Sequence, residues 1–238
     1  MNLKKHIPNL ITLLNLFCGC IALVFAGEAN FEMAFFFVCF GIFFDFFDGF
    51  FARLFNVSSP LGLQLDSLAD MVTSGVVPGF VMYKMLSNGV ASNPTLIYLP
   101  YLGFIITLGS CYRLANFNID TRQSDSFIGL PTPANALFIL SLPLILKNSD
   151  SLLVLELLIN PWILIFVSIL SAFILNAEIS LFALKIKKFN FKDNALQFFF
   201  LLISILLLGY LQFAGVALII VFYVLLSLIT NQFKANKS

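Results

Sequence analysis

Four aspartates lie inside otherwise apolar sequence: Asp45 and Asp48 in FEMAFFFVCFGIFFDFFDGFFAR, and Asp66 and Asp70 in the stretch that follows. Asp45 and Asp48 are three residues apart, so on a helix they share a face, and Gly49 and Ala52 extend that stripe with almost no side chain. Gly62, Asp66 and Asp70 recur every fourth residue and form a second such face. The short connection FNVSSP makes the two helices antiparallel neighbours, which directs all four carboxylates toward one cavity. A carboxylate at membrane depth costs at least about 2.5 kcal/mol, and ionised groups kept there mark sites. Four together repel one another unless cations intervene. Carboxylate oxygens are hard ligands suited to Mg²⁺, Mn²⁺ or Ca²⁺ rather than zinc. His6, the one histidine, stands in the basic N-terminal tail, away from the cluster. Two divalent cations held by four aspartates, beside glycine and alanine, suit the binding of a pyrophosphate and displacement of a phosphoryl group. A proton or cation pathway, and structural ion pairing, would use the same residues and stay open at this point.

The elements that must carry these residues are membrane helices. Of 238 residues, 60% are hydrophobic and 11% charged, too few polar residues to cover a water-facing surface. The net charge of +1 gives no bulk field for nucleic acid. Cys18, Cys20, Cys39 and Cys111 sit in apolar segments without paired spacing, and read as buried, inert small hydrophobes. The N-terminus has a basic start and an apolar run, but that run is long enough to span and lacks a clear cleavage site, so it reads as a retained first helix. At about 20 apolar residues per span, the chain divides into roughly eight pieces: 7–27, 31–54, 64–86, 96–116, 132–147, 152–175, 195–212 and 214–231. The fifth is short and holds Pro133 and Pro143, which predicts a break or tilt. The expected fold is an all-α integral membrane bundle, with residues 1–238 forming a single catalytic domain. Alternating sides from a cytoplasmic N-terminus puts Lys4, Lys5, Arg53, Arg113, Arg122, Lys185, Lys187, Lys188, Lys192, Lys234 and Lys237 on one face. The other receives Lys84 and Lys147 alone, a bias that sets both termini in the cytoplasm. Residues 177–193 carry Ile179, Phe182, Ile186 and Phe189 at helical spacing with four lysines, the pattern of an interfacial helix or of an ordinary positive-inside loop.

Read as spacing, residues 45–70 are D-x2-D-G-x2-A-R-x8-G-x3-D-x3-D. This resembles the full signature of the CDP-alcohol phosphotransferase family, matched at Asp45, Asp48, Gly49, Ala52, Arg53, Gly62, Asp66 and Asp70. The resemblance implies an integral membrane enzyme, generally dimeric, in which an alcohol attacks a CDP-linked substrate and CMP leaves. It also implies that Asp45, Asp48, Asp66 and Asp70 hold two divalent cations, and that Asp70 is the base for the acceptor hydroxyl. By the same resemblance Gly49, Ala52 and Gly62 let the cytidine nucleotide approach the backbone, with Arg53 near its phosphates. A hydroxyl is a poor nucleophile at neutral pH and needs such a base within hydrogen-bond reach.

Other stretches resemble the serine-using branch of that family, in its membrane-embedded bacterial and archaeal form. In IPNLITLLNLFCG the matches are Pro8, Asn9, Thr12 and Asn15, and Thr12 joins the expected nucleotide contacts. CYRLANFNID and FIGLPTPA are similar to a later pair of stretches in that branch, with one departure: Asn116 stands where an arginine is common. Arg113 is then the candidate for a serine carboxylate, which a guanidinium holds through two hydrogen bonds, and Asn116 lies beside it. Arg122 reads as a plain cytoplasmic charge, and Pro131 and Pro133 as shaping the start of the fifth helix. The expected substrates are CDP-diacylglycerol and L-serine, at the cytoplasmic face of the cell membrane, with membrane lipids and a second copy as partners. Glycerol 3-phosphate and inositol phosphate are the rival acceptors, and each would want a denser basic cluster near the aspartates than this sequence provides.

Overall fold

In the computed structural model, residues 6–57, 59–91, 94–120, 128–182 and 194–235 are described. Arg122 and residues 183–193, most of the basic stretch 177–193, lie outside them, and its described part, 177–182, is not helical. The described residues are helical almost throughout. They form α1 (Ile7–Gly27), α2 (Phe31–Phe55), α3 (Pro60–Asp70), α4 (Val77–Val90), α5 (Ile105–Ile119), α6 (Thr132–Asn148), α7 (Leu152–Ile159), α8 (Pro161–Asn176) and α9 (Ala195–Ala235). A π-helical turn, Met71–Val76, joins α3 to α4, and a 3₁₀ segment, Leu99–Phe104, leads into α5. Among the described residues, three helical runs are long and apolar enough to cross a membrane, Ile7–Gly27, Phe31–Phe55 and Ala195–Asn231, or four if the bent pair α7 and α8 counts as one.

Capping sets the local boundaries. Asn30 begins α2 by accepting a hydrogen bond from the Met33 amide, and Ser59 begins α3 by accepting from Gly62. Asn56 ends α2 in the left-handed region, where asparagine is tolerated. Pro60 at the first turn of α3 starts that helix four residues before the apolar run suggests. The sixth predicted span is not straight: it bends by 70° between α7 and α8. The cause is Pro161, which holds Asn160 in an extended conformation. Pro143, by contrast, does not break α6, which runs unbroken from Thr132 to Asn148. The Ser141 hydroxyl donates to the Phe138 carbonyl within the same turn of helix. Gln212 has a non-helical backbone (φ 46°, ψ −115°), and α9 folds back there. The rings of Phe200 and Phe222 stack 5.9 Å apart, whereas a straight helix would separate them by roughly 33 Å. The expected division at 212–214 is thus present as a turn.

Helices α1 and α2 pack antiparallel. Ala22 and Ala26 meet Ala34 and Val38 in a core shared with Val77 and Val81 of α4, while Thr12 and Asp48 meet at the other end. Small residues let these backbones approach. A Cβ on Gly41 would lie 2.6 Å from Thr73 Cγ2 and 2.8 Å from Asn15 Oδ1. One on Gly19 would overlap Thr73 Oγ1 and sit 3.0 Å from its Cα. Thr73, fully buried in the π turn, is therefore gripped between α1 and α2, and its hydroxyl donates to the Asn15 carbonyl at 3.2 Å. Gly19→Ala is expected to lower the melting temperature in detergent by several degrees, because a backbone neighbour cannot yield as a side-chain end can. An unchanged melting curve would contradict this packing.

Candidate active site

The signature aspartates converge. Asp45, Asp48 and Asp66 each offer one carboxylate oxygen, and the three oxygens lie within 4.8 Å of one another. Ligands 2.1–2.5 Å from a shared ion stand no more than roughly 4–5 Å apart, so this hard-oxygen trio fits a divalent cation. The fourth aspartate stands slightly apart. Asp70 Oδ1 accepts a hydrogen bond from Asn15 Nδ2 at 3.1 Å, and Asn15 is completely buried on α1. The two asparagines of α1 thus divide: Asn15 orients Asp70, whereas Asn9 lines a cavity.

Asp48 is buried and held from α1 by the Thr12 hydroxyl, which donates to Asp48 Oδ2 at 2.5 Å. The same hydroxyl lies 3.1 Å from the Pro8 carbonyl. Thr12 therefore fixes the carboxylate from outside the trio, as groups behind a metal ligand do. Thr12→Val, which keeps the shape and removes the donor, is expected to weaken divalent-cation affinity by about tenfold, read by calorimetric titration of the purified protein. Equal affinity in the two proteins would show that Asp48 needs no such support.

Two cavities open on the cluster. One, about 190 Å³, is lined by Thr12, Asp48, Gly49, Ala52, Gly62 and Asp66 among others. These include the residues expected to admit a nucleotide. Arg53 is exposed and folds back so that its guanidinium nitrogens would lie 3.9 Å from a Cβ on Gly49, over the rim of that cavity. The second, about 250 Å³, is lined by Asp45, Asp66, Ser67, Asp70, Arg113 and Thr132 together with Leu114, Phe117, Pro131 and Pro133. Asp66 belongs to both. Arg113 is buried, its guanidinium 5.4 Å from the Phe117 ring centroid, a cation–π contact. Asn116 lies behind it in a small third cavity, about 90 Å³, shared with Arg113, Asp120 and Glu178. Arg113 and Asn116 are thus neighbours, but only Arg113 reaches the aspartates. A larger cavity, about 760 Å³, opens at the far end of α1 and α2 near Glu28, Glu32 and Lys147, remote from this chemistry.

Several contributors were not legible in the sequence. Pro131 and Pro133 do more than shape the start of α6, since both line the cavity with Asp70. Ser67 lines it too, and accepts a hydrogen bond from Asn118 Nδ2 at 2.9 Å. Thr73 and Asn15 form the chain behind Asp70. No spacing rule connects residues 51 to 58 positions apart; only the three-dimensional packing does. All four cysteines are free, but burial holds for Cys18 and only partly for Cys39: Cys20 and Cys111 are exposed, on outward faces of their apolar helices.

Over 133 residues the chain is 38% identical to the CDP-diacylglycerol–serine O-phosphatidyltransferase of Bacillus subtilis, covering 54% of this chain and 70% of that one. It is 38% identical over 134 residues to the protein of that name from Helicobacter pylori, covering 56% of this chain and 54% of that one. To the one from Methanocaldococcus jannaschii it is 34% identical over 133 residues, covering 56% of this chain and 58% of that one. The matched stretch thus spans little more than half the length of the latter two relatives. The family model described as CDP-alcohol phosphatidyltransferase matches residues 5–174, from α1 through the aspartates and both cavities into α8. The chain is therefore a member of the CDP-alcohol phosphatidyltransferase family.

Proposed function

We propose that this protein transfers the phosphatidyl group of CDP-diacylglycerol to the hydroxyl of L-serine, giving phosphatidylserine and CMP. The observation that carries the reading is the position of Asp66, which lines both the cavity of Gly49, Ala52 and Gly62 and the cavity of Asp70 and Arg113. A nucleotide on one side and an acceptor on the other would meet at that carboxylate. Asp45, Asp48, Asp66 and Asp70 would hold two divalent cations, Mg²⁺ or Mn²⁺ with Ca²⁺ also possible, which when bound neutralise the pyrophosphate and stabilise charge developing on it.

The chain's own residues do the rest. Gly49, Ala52 and Gly62 leave the space in which the nucleotide lies, and Arg53 at the rim faces its phosphates. Arg113 holds the serine carboxylate, and Asn116 supports it from behind. Asp70, aimed by Asn15, takes the proton of the serine hydroxyl. The serine oxygen forms its bond to the phosphorus bearing diacylglycerol as the bond from that phosphorus to the bridging oxygen breaks, and CMP leaves with the electron pair. The acyl chains stay in the bilayer and the lipid enters laterally.

The same reading places the protein in the cell membrane with eight spans, both termini and the active site cytoplasmic. It is supported by the fold-back at Gln212 and by the separation of charges along the bundle. Lys84 donates to the Gly27 carbonyl, and Lys147 pairs with Glu32 at 2.8 Å, both at the end opposite Arg53 and Arg113. A homodimer follows from the family resemblance, with residues 1–238 acting as one catalytic unit. The test is CMP release from CDP-diacylglycerol by purified protein, with L-serine, glycerol 3-phosphate and inositol phosphate supplied in turn. Release with serine alone is expected. Release with a phosphorylated acceptor instead would reassign the substrate, and none with any acceptor would revive a cation or proton pathway through the same aspartates.

A further inference from the structure

The second cavity contains one polar pair that the reaction described above does not use. Ser67 follows Asp66 on α3 and lines the space between Asp70 and Arg113. Its hydroxyl oxygen accepts from Asn118 Nδ2 at 2.9 Å, a bond that ties α3 to the end of α5, the helix carrying Arg113. Among the described residues the Ser67 hydroxyl has no acceptor for its own proton. Asn118 Oδ1 is also buried without a partner. A hydroxyl whose oxygen is already engaged presents its proton in the remaining direction, and an unused donor beside a guanidinium suits an anionic oxygen. Leu114, Pro131 and Pro133 add apolar surface to the same lining, which lowers the local dielectric and raises the value of each hydrogen bond made.

We propose that Ser67 is a specificity-determining residue: its hydroxyl, positioned by Asn118, donates to the carboxylate of the amino-acid acceptor that Arg113 also binds. This rests on the reading of serine as acceptor. It accounts for how a site with one arginine holds a carboxylate in a defined orientation. The guanidinium supplies charge, and the Ser67 donor, fixed to α3 beside Asp66 and Asp70, relates that charge to the reacting hydroxyl. A phosphorylated acceptor, with twice the charge, would call for a second cation beside Arg113, and among the described residues none lines this cavity.

The experiment is steady-state kinetics on the full-length protein in detergent micelles, varying L-serine and CDP-diacylglycerol separately. Ser67→Ala is expected to raise KM for L-serine by about tenfold or more, the effect of losing one hydrogen bond to a charged group. KM for CDP-diacylglycerol should stay as in the parent protein. Ser67→Thr, which retains the hydroxyl, should restore most of the serine affinity. Asn118→Ala should move KM for serine in the same direction, and the double variant should be no worse than Ser67→Ala, since Asn118 acts through Ser67. An unchanged KM for serine in Ser67→Ala overturns the proposal, as does a parallel loss of affinity for both substrates, which would mean a structural role. Failure of the parent protein to use serine at all is a separate result: it removes the functional reading itself, and this assignment with it.

Discussion

Asp70→Asn is expected to cut serine-dependent CMP release by roughly 10²- to 10⁴-fold, the range that a positioned general base contributes. The substitution keeps the size of the side chain and leaves an oxygen able to accept from Asn15 Nδ2, now at 3.1 Å from Asp70 Oδ1. The buried packing of Asn15 against Thr73 and Gly41 is then undisturbed. Loss of activity should therefore come with an unchanged melting temperature and a normal elution profile in detergent. What is removed is the ability to take the acceptor's proton, together with the charge Asp70 offers a cation, so divalent-cation affinity measured beside the assay separates the two roles. Full activity in this variant would sink the assignment of Asp70 as base. A collapsed elution profile would instead mean that the Asn15 contact is needed for folding, and the same assay on Asn15→Ala would then show matching collapse.

The second large effect runs in opposite directions for stability and function. Three carboxylate oxygens within 4.8 Å repel one another, by about 3 kcal/mol per ionised pair at an effective dielectric of 20. Asp45→Asn removes one of these charges. In a chelator-treated sample the variant is expected to melt several degrees above the parent protein, because the cluster is relieved with no cation to offset it. On adding millimolar Mg²⁺ or Mn²⁺ the order should reverse, since only the parent gains the stabilisation that ligand binding supplies. CMP release should fall at least a hundredfold. The measurement is a pair of thermal melts with and without cation, beside the activity assay. A variant that melts lower than the parent under chelation would indicate that Asp45 is held by a structural contact and not by the demands of a cation.

Much of this molecule is written in its sequence at the level of segments. The spacing of Asp45, Asp48, Asp66 and Asp70 placed them on two facing helices, and the contact geometry brings Asp45, Asp48 and Asp66 together as that spacing requires. The separation of Asp70 from the trio was not legible. A four-residue repeat fixes a direction around a helix but says nothing of what a neighbouring amide does, and Asn15 lies 55 residues away. The bend at Pro161 was missed for a different reason. Length and apolarity treat 152–175 as uniform, whereas the restriction proline imposes on Asn160 is local and independent of hydropathy. Pro143 shows the converse, a proline that the surrounding helix accommodates. The Ser67–Asn118 pair joins two modest polar residues whose meaning depends wholly on the packing of α3 on α5.

The π turn at Met71–Val76 gives the helical run from Pro60 to Val90 two independent phases. Each residue of an α-helix turns it by about 100°, and a π turn shifts everything beyond it by part of that rotation. Before it, Asp66 and Asp70 point at the cavities; after it, Val77 and Val81 point into the core formed with α1 and α2. The joint is clamped by Thr73 bonding to Asn15 and by the Thr107 hydroxyl donating to the Gly75 carbonyl at 3.0 Å. A single unbroken α-helix would have to compromise between aiming its acids and burying its valines. With the phase reset between them, the apolar half is free to be repacked, residue by residue, without turning the acids off target.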